Sequence, residues 1–263
     1  MRFAVRAKTV PKNIGDIRMW KIHGAGIAAG ICAMSLGVAS GSACAQSAGS
    51  FSVSTGWTHA VINGSADPLT LVSVGGKTVN QTETGTGGHA NDANTLGVML
   101  EYYVTDHIGV ALQGGYPIYL DFEGSGAFAK YGVIAHAKPG VPQLNVRYHF
   151  FEAQSKFRPF VGIGVNYTWI YNGAITNSAF LHDSVGPGGS ATVSGSSSWN
   201  PVFEIGGNYK LSKHWSITGS LAYMPLKTTL TLTGTTAAGV TLVSKAKVGL
   251  NPLISFVGVT YTF

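Results

Sequence analysis

The chain has 263 residues, enough for one or two domains; 45% are hydrophobic and only 11% are charged. Its formal net charge of +6 is concentrated at one end: residues 1–45 hold six of the 17 basic side chains (Arg2, Arg6, Lys8, Lys12, Arg18, Lys21) and one of the 11 acidic ones (Asp16). The remainder carries 11 basic and 10 acidic side chains, which excludes the clustered basic footprint that nucleic-acid binding needs.

The first element in chain order is a leader. A basic head gives way to a small-apolar run from Ile27 to Ser40 and then to Ala43-Cys44-Ala45. This is the pattern of a secretory signal, with cleavage expected before Gln46. The apolar run is too short to cross a ~30 Å hydrocarbon core as a helix. Met19 offers an alternative start with a more ordinary head, and a retained anchor is the alternative to cleavage. Both cysteines, Cys32 and Cys44, leave with such a leader, so disulfides and thiolate metal sites are excluded from the rest. The expected domains are therefore 1–45, signal peptide, and 46–263, one folded unit.

After Gln46 no segment has 18 consecutive apolar residues, which removes a spanning helix. Instead, period-two alternation recurs between turn signals and predicts eight strands. The first runs near Phe51 to His59, with Phe51, Val53, Thr55 and Trp57 on one face. The second runs near Thr95 to Val104, with Leu96, Val98, Leu100 and Tyr102 opposite Gly97, Met99, Glu101 and Tyr103. After the turn Thr105-Asp106-His107, the third sets Ile108, Val110, Leu112 and Tyr116 against Gly109, Ala111, Gln113 and Gly115. The fourth alternates most clearly: Leu144, Val146, Tyr148 and Phe150 against Gln143, Asn145, Arg147 and His149. The fifth sets Val161, Ile163, Val165, Tyr167 and Trp169 against Gly162, Gly164, Asn166 and Thr168. The sixth sets Trp199, Phe203, Ile205 and Tyr209 against Val202, Glu204, Gly206 and Asn208. The seventh sets Trp215, Ile217, Leu221 and Tyr223 against Ser216, Thr218, Ser220, Ala222 and Met224. The eighth ends the chain with Val257, Val259, Tyr261 and Phe263 outward and Ile254, Phe256, Gly258 and Thr260 inward.

The connections alternate in length. Those at 105–107, 151–157 and 212–214 are short, and those at 62–92, 120–140 and 171–197 are long, the last expected to be partly disordered. A fourth, around Gly234 to Gly239, reads as a hairpin rising above the membrane. Aromatics gather near the short-turn ends (Tyr102, Tyr103, Tyr148, Phe150, Phe151, Trp215, Tyr261, Phe263) and near the long-loop ends (Tyr116, Tyr167, Trp169, Trp199, Tyr223). Together these predict an all-β, eight-stranded antiparallel transmembrane barrel with two aromatic girdles, short periplasmic turns and long extracellular loops. The competing fold is a soluble β-sandwich, which would need polar outward faces.

At the turns and the C-terminus the chain resembles the OmpW family of outer-membrane proteins. The resemblance rests on Tyr103-Val104-Thr105-Asp106-His107-Ile108-Gly109-Val110, on the run from Lys156 to Thr168, on Ser198-Trp199, on Trp215 with Tyr223-Met224, and on Tyr261-Thr262-Phe263. It implies an outer-membrane barrel with a narrow, largely apolar interior. It also implies passage of small hydrophobic molecules, with exit sideways through the wall.

The alternation supplies candidate site residues. Met99, Val202, Met224, Ile254 and Phe256 are apolar at inward positions, as a greasy passage requires. Side chains that simply fill a narrow barrel would look the same. Gln113 and Ala222 are inward where a bulky apolar constriction is expected. Glu101, Asn145, Arg147, His149 and Glu204 also point inward and are expected to form an ion-pair network plugging the lower lumen. Pro117, Pro142, Pro201 and Pro252 lie near the long-loop strand ends, where each removes a ladder hydrogen bond. Pro117 and Pro142 are the lateral-gate candidates; ordinary strand termination is the other reading. Val257, Val259, Tyr261 and Phe263 resemble a terminal strand read by barrel-insertion machinery. Expected partners are therefore outer-membrane lipid, that machinery, and small hydrophobic ligands.

Other chemistry finds little support. His59, His89, His136, His149 and His182 lack the i,i+2 or i,i+4 partner of a metal site, so no metal or cofactor is expected. No nucleophile elbow marks a hydrolase, which leaves a membrane-embedded lipid enzyme only as a remote alternative. Gly186-Pro187-Gly188-Gly189 follows no strand-to-helix pattern and is no phosphate loop. The second functional class is a non-transporting barrel whose long loops bind partners or protect the cell surface. A polar pore is disfavoured by the narrow lumen.

Overall fold

The computed structural model describes residues 46–263; the expected leader, residues 1–45, lies outside the described residues. The described chain is almost entirely strand. In order these are β1 (Phe51–Ile62), β2 (Thr70–Val74), β3 (Lys77–Thr82), β4 (Thr86–Ala90), β5 (Ala93–Tyr103), β6 (Ile108–Gly115), β7 (Leu120–Gly126), β8 (Val133–Gly140), β9 (Gln143–His149), β10 (Phe157–Ile175), β11 (Ser190–Lys210), β12 (Trp215–Tyr223), β13 (Lys227–Thr235), β14 (Thr241–Gly249) and β15 (Pro252–Thr262). One helix, α1 (Ser178–Val185), lies between β10 and β11, and a single 3₁₀ turn spans Ala129–Tyr131.

Eight strands close on themselves. The ring runs β1, β5, β6, β9, β10, β11, β12, β15 and back to β1, every pair antiparallel. Closure gives each of these eight strands a neighbour on both sides, the condition a hydrocarbon surround imposes on strands. These are the eight strands that the alternation predicts. β10 and β11, however, continue well beyond the predicted ends, to Ile175 and back to Ser190.

The burial pattern is inverted relative to a water-soluble protein. Leu96, Val98, Leu144, Val146, Ile163, Ile205 and Val257 face outward and are exposed, while Glu101, Arg147 and Glu204 are at most 3% exposed inside. No sandwich arranges its faces this way. Outward aromatics form both girdles. Trp215 and Tyr261 meet edge to face at 4.9 Å on the short-turn side, and Tyr167 and Trp199 lie 4.8 Å apart on the long-loop side. Tyr103 is a correction to the lower girdle. It shares the inward phase of Met99 and Glu101, is fully buried, and packs against His149 at 5.1 Å.

The long connections are a second correction. Residues 62–92 build β2, β3 and β4, and residues 120–140 build β7 and β8. Residues 171–197, expected to be partly disordered, build the tops of β10 and β11 and all of α1. The upper part of β11 pairs with β13 from Ser190↔Thr235 to Gly195↔Leu230, and β13 pairs with β14 as the expected hairpin. Ser, Thr and Gly hide these strands in the sequence. They alternate with only one apolar residue per pair, yet Val193, Leu230 and Leu232 all point into a common interior. The wall therefore rises above the membrane and encloses space there.

Candidate functional site

Inside the lower barrel the inward polar residues converge. The Arg147 guanidinium donates to Glu204 from Nε at 2.9 Å and from Nη2 at 2.7 Å, and to Glu101 from Nη1 at 3.0 Å. His149 Nε2 lies 2.8 Å from the other Glu101 oxygen, and Asn145 Nδ2 donates to Glu204 at 3.2 Å. Gln113 donates to both Glu204 oxygens, at 3.1 and 3.2 Å. Phe160 stacks on the guanidinium, with Arg147 Cζ 4.4 Å from its ring centre. Three strands supply these charges, because β5, β9 and β11 each point every second side chain inward. Glu101, Asn145, Arg147, His149 and Glu204 thus meet in one cluster, with Arg147 and His149 fully buried. Tyr103 joins from below, its hydroxyl 3.5 Å from Glu101.

The sequence reading missed a second closure lower down. Arg158 on β10 donates to the main-chain oxygen of Gln46 at 2.9 Å and also bonds the Asp106 carbonyl oxygen. Ala48 N–H donates to the Asp106 carboxylate at 2.8 Å, and Gly49 N–H donates to the Tyr103 carbonyl at 2.8 Å. Residues 46–50 are thereby clamped to the β5–β6 turn and to Arg158. The signal was available: Arg158 shares the inward phase of Gly162, Gly164 and Asn166.

Above the ion cluster the interior turns apolar. A cavity of about 150 Å³ is lined by Met99, Ala222, Met224, Ile254 and Phe256, with Gln113 at its polar end. Val202 does not reach the cavity surface; it is fully buried behind it, in a cluster with Ala222, Met224 and Leu226. A second apolar cavity of about 120 Å³ lies higher, lined by Phe128, Ile134, Phe180, Leu230 and Val248. Phe122 lines both, so the two are neighbours along one greasy column.

α1 covers the upper cavity. Asn177 caps the helix by accepting from Phe180 N–H at 2.8 Å, and its own amide donates to the Tyr131 carbonyl at 2.7 Å. Phe180 is buried edge-on against Phe128 and Tyr131, each 5.3 Å away. The Tyr131 hydroxyl donates to Asp183 at 2.6 Å, and Lys130 Nζ lies 3.6 Å from the same oxygen. That hydrogen bond from Tyr131 chiefly, and one from His182, hold the Asp183 carboxyl below the usual carboxylate range.

The wall itself has a break. β6 pairs with β9 from Ile108↔Tyr148 to Gln113↔Gln143, and β7 pairs with β8 only from Leu120↔Ala137 onward. Between them, Gly114–Tyr119 faces Lys138–Pro142 with no backbone hydrogen bond among the described residues. Pro117 and Pro142 stand on the two facing segments of this window. Its rims are held from outside: Tyr116 N–H donates to Leu96 O at 2.8 Å, and Gly140 pairs with Trp169 on β10. Gly114, Tyr116, Pro117, Pro139 and Val141 all line the lower cavity, so the cavity reaches the window. Pro201 instead sits within the β10–β11 ladder opposite Val165, and Pro252 begins β15 opposite Ile62.

The terminal residues complete the ring. Val257, Val259 and Phe263 are outward and exposed, and Phe263 N–H donates to Phe51 O at 2.9 Å. Tyr261 pairs with Val53 on one side and Trp215 on the other.

The OmpW family model matches residues 47–263, the whole of the barrel. The chain belongs to the OmpW family. It is 33% identical over 166 residues to outer membrane protein W of Salmonella typhimurium, which covers 60% of this chain and 74% of that one. It is 27% identical over 195 residues to outer membrane protein AlkL of Ectopseudomonas oleovorans, covering 73% and 74%. Among solved structures it is similar to the outer membrane protein OprG of Pseudomonas aeruginosa, with a TM-score of 0.71 and 25% identity over 82% of this chain and 97% of that one. This OmpW-family chain is an eight-stranded barrel of the Gram-negative outer membrane.

Proposed function

We propose that this outer-membrane barrel passes small hydrophobic molecules between the cell exterior and the bilayer, with exit through the side wall. The carrying observation is where the apolar cavity ends. Below, it stops on the Arg147 cluster, which no apolar molecule crosses without breaking buried, charge-assisted hydrogen bonds. Sideways, it reaches the window between Gly114–Tyr119 and Lys138–Pro142, where no ladder hydrogen bond has to be broken. A hydrophobic solute gains by entering lipid and loses by entering water, so the side route is downhill. Membership of the OmpW family, and similarity to AlkL and OprG, supports a small-molecule channel in general terms.

The test is reconstitution of the purified barrel in liposomes and in planar bilayers. Faster entry of an apolar fluorescent probe than into protein-free liposomes, together with absence of ion conductance, is the expected pair of results. A steady conductance, or probe entry no faster than in protein-free liposomes, would overturn the reading; the latter outcome favours a barrel that acts through its loops.

A further inference from the structure

We infer that the molecules taken into the lower cavity carry a hydroxyl group, and that Gln143 reads it. This rests on the proposed passage and adds the chemical class of its cargo.

Gln143 begins β9 and faces inward, 7% exposed, on the lining of the cavity. It forms the last rung below the window, paired with Gln113 on β6 and with Asn166 on β10. Its neighbours in that row are already committed. The Gln113 amide donates to Glu204. Asn166 donates to Pro142 O at 3.0 Å and accepts from Asn200 at 3.1 Å and from Thr168. The Gln143 carboxamide is left over. Among the described residues it makes no side-chain hydrogen bond, and its Oε1 is wholly buried without a donor. A buried amide with no partner is costly and uncommon, and here it lies beside an apolar space of ligand size at the point where cargo would turn toward the wall.

A pure hydrocarbon in this cavity leaves the carboxamide unmet. A hydroxyl in the cavity can accept from Nε2, and a turn about the soft terminal torsion of glutamine brings the buried Oε1 to the cavity, where a hydroxyl can donate to it. A carboxylate is the wrong cargo, because the site offers no cation free of the Glu101–Arg147–Glu204 cluster and would desolvate the charge. The class that fits is an aromatic or aliphatic hydrophobe with one uncharged hydroxyl.

The experiment compares 2-naphthol with 2-methylnaphthalene, which differ in one group and little in shape. Entry of each into barrel-containing liposomes is measured relative to protein-free liposomes. The wild-type barrel is expected to favour 2-naphthol by about tenfold, the scale of one buried hydrogen bond. In Gln143→Met and Gln143→Leu the ratio should fall towards unity; two variants are made so that one that folds poorly does not decide the matter. Equal acceleration of both probes by the wild type, or a ratio kept in the variants, overturns this inference and leaves the passage standing. Acceleration of neither probe overturns the passage, and this inference with it.

Discussion

Arg147 and Glu204 form a two-point pair, Nε to Oε2 at 2.9 Å and Nη2 to Oε1 at 2.7 Å, in a space with no solvent access. They come from β9 and β11, on either side of β10, whose Gly162 is the residue paired with both. A Cβ at Gly162 would lie 3.3 Å from atoms of each side chain, so the glycine leaves them room to meet. The pair and its partner Glu101 therefore tie three parts of the ring together from within.

Removing the cation should cost more than the pair contributes. Arg147→Leu leaves Glu101 and Glu204 buried with no guanidinium between them, and a loss of about 3–5 kcal/mol in unfolding free energy is expected. Urea unfolding in detergent micelles measures it. The triple variant Glu101→Leu, Arg147→Met, Glu204→Leu should recover only part of that loss: no charge is left to desolvate, but His149, Asn145 and Gln113 lose their carboxylate partners. A single variant as stable as the wild type would show that the carboxylates find other partners.

The latch on α1 should respond to acid in a defined direction. Asp183 is held below its ordinary range, first by the Tyr131 hydroxyl. Its contribution is therefore fully present at neutral pH, begins to fall as pH drops through the range where a free aspartate protonates, and is gone once pH has fallen through the lowered value. Amide exchange across residues 178–185, corrected for its intrinsic pH dependence, is expected to stay slow at neutral pH and to quicken as the pH falls into acid. Tyr131→Phe should quicken it at neutral pH, and a variant indistinguishable from wild type there would remove the latch.

Assembly is expected to depend on the last residue in this structure. Phe263 N–H closes the rung to Phe51 O, and its ring packs against Phe51 at 6.1 Å and Tyr261 at 4.9 Å. Deletion of Phe263 should lower the amount of folded barrel in the outer membrane. The heat-modifiable gel band reports it, and a full-strength band from the deletion would count against the role.

The membrane part was legible in the sequence because a period of two is enforced there from both sides, lipid without and packed lumen within. Each of Leu144, Val146 and Tyr148 must face out if Gln143, Asn145 and Arg147 face in, so one strand's phase settles three site residues, Asn145, Arg147 and His149. Above the membrane that constraint fails. β2, β3, β7 and β8 meet water on their outer face, where Thr, Ser and Gly serve as well as Val, and the pattern reads as loop. α1 was hidden for another reason: only Asn177, Phe180 and Val185 mark it, and what fixes it is contact of Phe180 with Phe128 and Tyr131, far earlier in the chain. The two prolines were visible singly. That Pro117 and Pro142 stand on opposite sides of one break depends on the register of four strands, which no local pattern encodes.

The side exit is tested most directly at those prolines. Pro117→Val with Pro142→Val restores two N–H donors to facing segments and lets the ladder close between Gln113↔Gln143 and Leu120↔Ala137. Entry of an apolar probe into liposomes carrying this double variant, at matched amounts of folded barrel, should be slower than with the wild type. Entry at the wild-type rate through a demonstrably folded variant would contradict passage through the wall.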